Sequence, residues 1–599
     1  MGRSARRPGS LELTVLMPPK NQTASPATLP MTCDPANPFI VQGDRSVLVE
    51  VDNPKYAAAR DALAPFAELE KSPEHIHTYR ISNLSLWNAA AAGFTAAEVL
   101  AVLQQYTKFP IPQNLPLDIA ETVARYGRVK LQRVDEKSLK LVCADKPLMM
   151  ELSRQKKLKE YLGEKLDDVS FAIDPAYRGV LKQMLITLGY PAEDLAGYTE
   201  GANLPMKLRE ICASGVPFNV RDYQREAGDV FHAGGDVRGG SGVIVLPCGA
   251  GKTIVGIVAM CLLQKNTLVL TTSITAVKQW HREIIDKSTL TEDDVKEYTG
   301  DTKEIGPVTV ATYQILTYRP DKTEDFPHFG LFDKRDWGLI VYDEVHLLPA
   351  PVFRVTATIQ ARRRLGLTAT LIREDGREGD VFSLIGPKKY DVPWRELETK
   401  GWIASASCTE VRVALPDDAN RMAYAVADHR AKYRIASENE AKDDVVEELL
   451  ARYHDQRVLV IGQYLTQLRR LSDRFEIPII TGSTPSAERE DLYNKFRSGE
   501  VRHLVLSKVG NFAIDLPDAN VLIQVSGTFG SRQEEAQRLG RILRPKSSGD
   551  GDAHFYTLVT RDTRELDFAH HRQMFLTEQG YSYAILDERE LVPPKSAAG

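Results

Sequence analysis

The stretch Gly242–Thr253, GVIVLPCGAGKT, decides how the 599-residue chain is read. Gly242–Leu246 is a β-branched, apolar run, the pattern of a strand covered on both faces of a parallel sheet. It breaks at Pro247 into the small-residue loop Cys248-Gly249-Ala250-Gly251, and a helical apolar period follows through Ile254, Val255, Val258, Ala259 and Leu262. Strand, glycine loop, Lys-Thr and helix together turn backbone N–H groups and a helix N-terminus toward a phosphate chain. In that arrangement Lys252 reaches the β- and γ-phosphates, and the Thr253 hydroxyl sits on Mg²⁺. Leu246 stands where the strict pattern has glycine.

The residues on either side extend the reading. About twenty residues upstream, Arg221-Asp222-Tyr223-Gln224 precedes a helix, and the Gln224 amide can both donate to and accept from an adenine edge. Phosphates plus adenine make the expected cofactor ATP with Mg²⁺. Downstream, strand Thr267–Thr272 leads to Ser273 and Trp280, where a nucleic-acid backbone track can lie, and strand Val308–Thr312 ends at Thr312. Leu339–Tyr342 then runs into Asp343-Glu344-Val345-His346. Two carboxylates at the C-terminal end of a parallel strand suit a chain that already has a phosphate loop. Asp343 is expected to hold Mg²⁺ and Glu344 to orient and deprotonate the attacking water. His346 reads as a surface residue coupling the γ-phosphate to the next strand, which ends in Thr368-Ala369-Thr370 before the charged Arg373-Glu374-Asp375.

A stretch around 386–401 reads as a linker. After it, apolar runs at Val458–Ile461, Ile477–Ile480, His503–Leu506 and Val521–Val525 alternate with helices, a second doubly wound parallel sheet. Its functional end is QRLGRILR, where Gln537, Arg541 and Arg544 share one helical face. Arginines presented from a second domain can close on a γ-phosphate as fingers. Ser507, Lys508 and Asp515 precede QRLGRILR on a loop expected to touch nucleic acid or ribose.

The rest of the chain bounds the problem. The composition is that of a globular protein, with 43% hydrophobic and 26% charged residues and a net charge of −5. A nucleic-acid surface must therefore be local. The six cysteines form no C-x-x-C pair, which argues against a zinc site or disulfide framework and fits a reduced cytosolic compartment. No apolar run reaches the ~20 residues that span a bilayer. Residues 1–37 read as a disordered extension, with Met31 expected as the natural start. Residues 38–134 open with an alternating hairpin, FIVQGDRSVLVEVD, and continue as helices closed by a strand at Val129–Gln132, a winged-helix-like accessory domain. Residues 135–204 read as a small α/β unit, with a strand at Leu139–Ala144 and a helix at Met150–Leu162. Residues 586–599 form a loose tail.

Taken in order, Gln224, GAGKT, DEVH, TAT and QRLGRILR resemble a superfamily 2 helicase motor with two RecA-like domains. LPCGAGKT, WGLIVYDEVHLLPAPVFR, RRLGLTATLIRED, SLIGPK and FLTEQGYSY are similar to the XPB family of DNA repair helicases in its bacterial form. The resemblance runs over 205–585 and more weakly over 39–200. It implies RecA-like domains at 205–400 and 401–585, a DNA-gripping thumb-like insertion at about 416–444, and a damage-recognition-like role for 135–204. It further implies ATP-dependent 3′-to-5′ DNA unwinding in nucleotide excision repair, and gives Arg373-Glu374-Asp375 a part in opening DNA. The expected partners are single-stranded DNA and duplex junctions, with a repair nuclease as in archaeal relatives. The expected protein is a nucleoid-associated monomer with no membrane contact. The competing readings are a duplex translocase, an ATP-switched DNA clamp that recruits a nuclease, and an RNA-directed superfamily 2 motor.

Overall fold

The structure is a computed structural model. It describes residues 33–592 except 72–74, 136–137, 237–238, 248, 322–325, 360–361, 370–377, 393–396, 399, 403–405, 508–518, 528–552 and 579–581. The hairpin read near the start is β1 (Phe39–Val41) paired antiparallel with β2 (Ser46–Glu50). β3 (Glu68–Lys71) and β4 (Ile76–Arg80) complete a four-stranded sheet in the order β1-β2-β4-β3. The last two fall in a region read as helical. Their short, charged sequences ELEK and IHTYR hide the alternation, because the inward residues of β4 are His77 and Tyr79, and the His77 ring is satisfied by the Tyr56 hydroxyl at 2.8 Å.

The strand read as closing that module, β5 (Val129–Arg133), belongs instead to the next sheet. There it lies between β6 (Leu139–Cys143) and β9 (Ala192–Leu195), with β7 (Lys165–Asp167) and β8 (Ser170–Ile173) beyond β6. The winged-helix-like reading therefore lacks its wing. The helix read at Met150–Leu162 is two, Lys146–Arg154 and Lys156–Lys159, broken where Gln155 adopts an extended conformation.

The first motor sheet has seven parallel strands in the order β12-β13-β11-β14-β15-β10-β16. In chain order they are β10 (Ser241–Val245), β11 (Thr267–Thr271), β12 (Val295–Tyr298), β13 (Val308–Thr312), β14 (Leu339–Asp343), β15 (Arg363–Thr368) and β16 (Lys388–Asp391). Every residue of β10, β11 and β13 is buried, as continuous apolar runs between helical layers require. β16 lies in the stretch read as a linker. Its sequence KKYD carries no apolar signal because it is an edge strand paired only with β10. A single strand, β15, separates β10 from β14, so the loops that follow β10 and β14 open at the same edge of the sheet.

The second motor sheet is also seven parallel strands, ordered β19-β20-β18-β21-β22-β17-β23. These are β17 (Ala406–Val413), β18 (Val458–Ile461), β19 (Ile479–Ile480), β20 (His503–Leu506), β21 (Val521–Gln524), β22 (Ala553–Thr560) and β23 (Ser582–Asp587). Residues 416–444 carry the helices Asp418–Val426 and His429–Ser437 and the start of a third, Ala441–Arg452. At the C-terminal ends of β21 and β22 the fully buried Lys442 ammonium donates to both Glu565 oxygens, at 2.9 and 2.8 Å, and to the Val525 carbonyl at 3.0 Å. Removing one partner of such a pair strands a charge in a low dielectric. Lys442→Met should therefore destabilise this domain by about 3–5 kcal/mol, and Lys442→Met with Glu565→Leu should recover most of it. Thermal melts of the three proteins check this.

The accessory sheets are packed on the first motor domain, not tethered to it. The Lys388 N–H donates to Asn88 Oδ1 at 2.9 Å, Gln183 Nε2 donates to Asp380 Oδ1 at 2.7 Å, and Tyr126 meets Phe382 edge-on. Among the described residues no single helix is long and apolar enough to cross a membrane.

Candidate nucleotide site

The loop after β10 has the backbone a phosphate cradle needs. Gly249 and Gly251 lie at φ +81° and +78°, where a side chain is strained, and Gly251 is the residue from which helix Lys252–Leu263 starts. A Cβ on Gly251 would sit 2.6 Å from Gln224 Nε2. The buried Ala250 between these glycines directs its carbonyl away from the site, where it accepts from the Tyr223 hydroxyl at 2.6 Å and from Gln224 Nε2 at 3.0 Å. Gln224 Oε1 in turn accepts the Arg221 N–H at 3.1 Å. The Gln224 amide, expected on an adenine edge, is thus engaged at both ends by the protein and braces the loop. Tyr223, which the sequence did not mark as functional, shares that task.

The carboxylates stand at the end of β14. Asp343 Oδ2 accepts from the Trp280 indole at 2.8 Å, and its Oδ1 accepts the Glu344 N–H at 3.0 Å, so both oxygens are fixed. The Tyr313 hydroxyl holds the Asp343 carbonyl at 3.0 Å. Glu344 lies at φ +49°, a left-handed conformation that costs a non-glycine residue about 1–3 kcal/mol and is kept where a side chain must be re-aimed. It places Glu344 Oε1 3.4 Å from Lys252 Nζ. Burial first, and then the Glu344 charge, push the Asp343 carboxyl up to about 6; the indole, Lys252 and the Glu344 N–H pull the other way.

Two carboxylates thus face one ammonium, and the surplus negative charge suits a hard divalent cation held by Asp343 and the Thr253 hydroxyl. Among the described residues no group of three or more His, Cys, Asp or Glu side chains is placed to hold a metal unaided. A cation held here would take its remaining ligands from phosphate and water, as Mg²⁺ does with a nucleotide. The residues present fit Mg·ATP.

His346 is not a surface residue. It is 8% exposed, on the turn Val345–Leu347 that tucks the ring beneath β15, where Nδ1 lies 2.7 Å from Thr368 Oγ1 and 3.6 Å from Glu344 Oε2. The turn joins Glu344 to the end of β15. Trp280, read as part of a nucleic-acid track, is 1% exposed, packs against Gly256 and orients Asp343. Its spacing with Val277 and Ile284 on one helical face was the signal that it points inward. Ser273 and Thr312 are helix N-caps, accepting from Ala276 N–H and Ile315 N–H. They stand at the C-terminal ends of the neighbouring strands β11 and β13. Ser507 is buried just beyond β20. Thr370, Arg373, Glu374, Asp375, Lys508, Asp515, Gln537, Arg541 and Arg544 lie outside the described residues.

Comparison with known proteins follows the same division of the chain. Residues 397–596 match a family model described as the ERCC3/RAD25/XPB C-terminal helicase, and residues 217–373 one described as the type III restriction enzyme, res subunit. A third, described as a helicase conserved C-terminal domain, matches residues 39–167, which here form the first accessory sheet and part of the second. The chain is 54% identical over 557 residues to the DNA 3′-5′ helicase XPB of Mycobacterium tuberculosis, covering 93% of this chain and 99% of that one. It is likewise 54% identical to the DNA 3′-5′ helicase XPB of Kineococcus radiotolerans, covering 92% and 97%. The general transcription and DNA repair factor IIH helicase/translocase subunit XPB/SSL2 of Saccharomyces cerevisiae is 32% identical, covering 92% of this chain and 72% of that one.

Proposed function

This chain belongs to the XPB family of DNA 3′-5′ helicases, and from that premise we propose which of its residues perform each part of the work. It is an ATP-dependent DNA helicase of the XPB type. The observation that carries the assignment of residues is the facing of Lys252 and Glu344 across 3.4 Å, with Asp343 fixed beside them by the Trp280 indole.

Bound Mg·ATP supplies the phosphoanhydride bond whose hydrolysis drives the motor. Lys252 and the backbone N–H groups of Gly249, Ala250 and Gly251 grip the phosphates. Thr253 and Asp343 hold the Mg²⁺. Glu344 takes the proton of the attacking water, and its left-handed backbone holds it ready. His346 carries the state of Glu344 to Thr368, and through Ala369 to Thr370. Gln537, Arg541 and Arg544 of the second motor domain close on the γ-phosphate and neutralise the charge that develops there. Ser273, Thr312 and Lys508 serve the strand that is moved, through backbone contacts that carry no sequence information, and the buried Ser507 supports that loop. Arg373, Glu374 and Asp375 act where the duplex parts. The role is DNA repair at the nucleoid, on single strands and duplex junctions.

One experiment tests the whole. ATP hydrolysis is measured without nucleic acid, with single-stranded DNA, with 3′-tailed and 5′-tailed duplexes and with RNA, with strand separation read in the same samples. DNA-specific stimulation and separation of the 3′-tailed duplex alone are expected. Stronger stimulation by RNA overturns the DNA reading. Hydrolysis without separation overturns unwinding by the isolated chain and points to a translocase, or to a repair nuclease needed as partner.

A further inference from the structure

Arg221, expected with Gln224 among the ATP-binding residues, is directed at a residue outside the helicase motifs. Its guanidinium carbon lies 4.7 Å from the centre of the Trp402 ring, and its Nη1 donates to the Trp402 carbonyl at 3.2 Å. Trp402 stands on the connector between the two motor sheets, after β16 ends at Asp391 and before β17 begins at Ala406. Its backbone is held there. Gly401 lies at φ +68° and donates its N–H to the Glu398 carbonyl at 2.8 Å, and the Trp402 N–H donates to the Leu397 carbonyl at 2.8 Å. These are the paired bonds of a Schellman closure, which fixes the direction in which the chain leaves a helical turn.

From Arg221 the contacts continue inward. The same Nη1 donates to the Tyr223 hydroxyl at 3.1 Å, and that hydroxyl donates to the Ala250 carbonyl of the phosphate loop. The Arg221 backbone reaches the same carbonyl through Gln224. Tyr223 and Gln224 are 2% and 3% exposed and closely packed, so they transmit a displacement of Ala250 instead of absorbing it. The half-buried Trp402 is the end of the chain with room to move.

We infer that Trp402 is a positioning residue through which nucleotide occupancy of the phosphate loop reaches the connector to the second motor domain. The inference rests on the motor reading above, since it needs a nucleotide at that loop. When the loop N–H groups turn to phosphate, the Ala250 carbonyl turns with them, Tyr223 and Gln224 follow, and the Arg221 plane shifts against the indole. A planar guanidinium is required to stack and donate at once, so lysine cannot replace Arg221 here.

The test uses the full chain and its tryptophan emission, of which Trp402 is one source among five. Mg·ADP is expected to change the wild-type emission, and Trp402→Phe is expected to reduce that change, the remainder coming from Trp280 beside Asp343. Trp402→Leu should raise KM for ATP about tenfold, the scale of one desolvated cation–π contact, and weaken the stimulation of kcat by DNA. Trp402→Phe should restore both relative to Trp402→Leu, and Arg221→Lys should reproduce the Trp402→Leu defect in a protein that keeps its indole. An emission change identical in wild type and Trp402→Phe overturns the inference. So does a Trp402→Leu or Arg221→Lys protein with wild-type KM and wild-type DNA stimulation. A wild type that hydrolyses ATP under DNA stimulation, yet whose emission ignores Mg·ADP, overturns the relay and leaves the motor reading standing. A wild type whose emission responds but which shows no DNA-stimulated hydrolysis overturns the motor reading instead.

Discussion

Glu344→Gln is expected to lower the rate of ATP hydrolysis by about 10²–10⁴ while nucleotide and DNA are still bound, the range for removal of a positioned general base. The substitution keeps the side chain's size and an oxygen for Lys252, 3.4 Å away, but removes the charge and the basicity. It also removes the repulsion that is the second cause, after burial, of the raised Asp343 carboxyl. That has a consequence for stability opposite in sign to the loss of activity. Asp343 titrates near 3.8 in the unfolded chain and at about 6 in the fold. Between those values the folded state binds more protons, so stability falls as pH rises through this window, and above it the full cost is present. Relieving the Glu344 share should return about 1 kcal/mol above pH ~6, or a melting point higher by about 2 °C. Single-turnover hydrolysis and thermal melts at pH 5 and pH 8 measure both. Unchanged hydrolysis would remove Glu344 as the base, and a change in melting point no more favourable at pH 8 than at pH 5 would mean the two carboxylates do not repel each other, since loss of the Lys252 ion pair acts at both pH values.

The parts of this site legible in the sequence are those where backbone geometry restricts residue choice. A loop that needs left-handed backbone at Gly249 and Gly251 before a helix can hardly be written without glycine, and strands sealed on both faces, such as β10 and β14, must be unbroken apolar runs. The parallel architecture of both motor domains followed from those runs. β12 and β22 were not read as strands, and β16, β17 and β23 escaped because their environments are mixed. KKYD is an edge, and SYAILD pairs only with β17. β17 itself carries Glu410, almost fully buried and bonded to the Tyr583 hydroxyl, so polar residues face inward and the pattern reads as loop.

What the sequence could not convey is how polar groups divide their hydrogen bonds. Gln224 has the chemistry to read a base, but the fold engages its oxygen with Arg221 and its nitrogen with Ala250. His346 follows two carboxylates at a strand end, which suggests solvent. A tight turn instead draws the ring under β15, and only the resulting 2.7 Å contact with Thr368 reveals a link between the two motifs. Trp402 carries no motif at all. Its place depends on a helical turn closing at Gly401, and its partner is 181 residues away in sequence. Long-range contacts of single side chains leave no period to detect.

Lys252→Ala should abolish hydrolysis, by at least about 10²–10³ from the lost electrostatic contact alone. It should also create a behaviour the wild type lacks. In the nucleotide-free site the Lys252 ammonium is the counter-charge to Glu344 at 3.4 Å and one of the groups that hold the Asp343 carboxyl down. Without it, no other cation among the described residues holds the Asp343 carboxyl down beside Glu344, and the pocket becomes a better site for a bare divalent cation. Millimolar Mg²⁺ without nucleotide should then raise the melting temperature of Lys252→Ala, by mass action on the folded state, and leave the wild type nearly unchanged. The difference should vanish near pH 5, where Asp343 is protonated. Lys252→Arg separates the two duties of the residue. It keeps the counter-charge, so the Mg²⁺ response should disappear, but its bulkier planar head does not reproduce a compact ammonium gripping phosphate, so hydrolysis should remain impaired. Equal Mg²⁺ responses in wild type and Lys252→Ala would show that Lys252 does not neutralise the acidic pair.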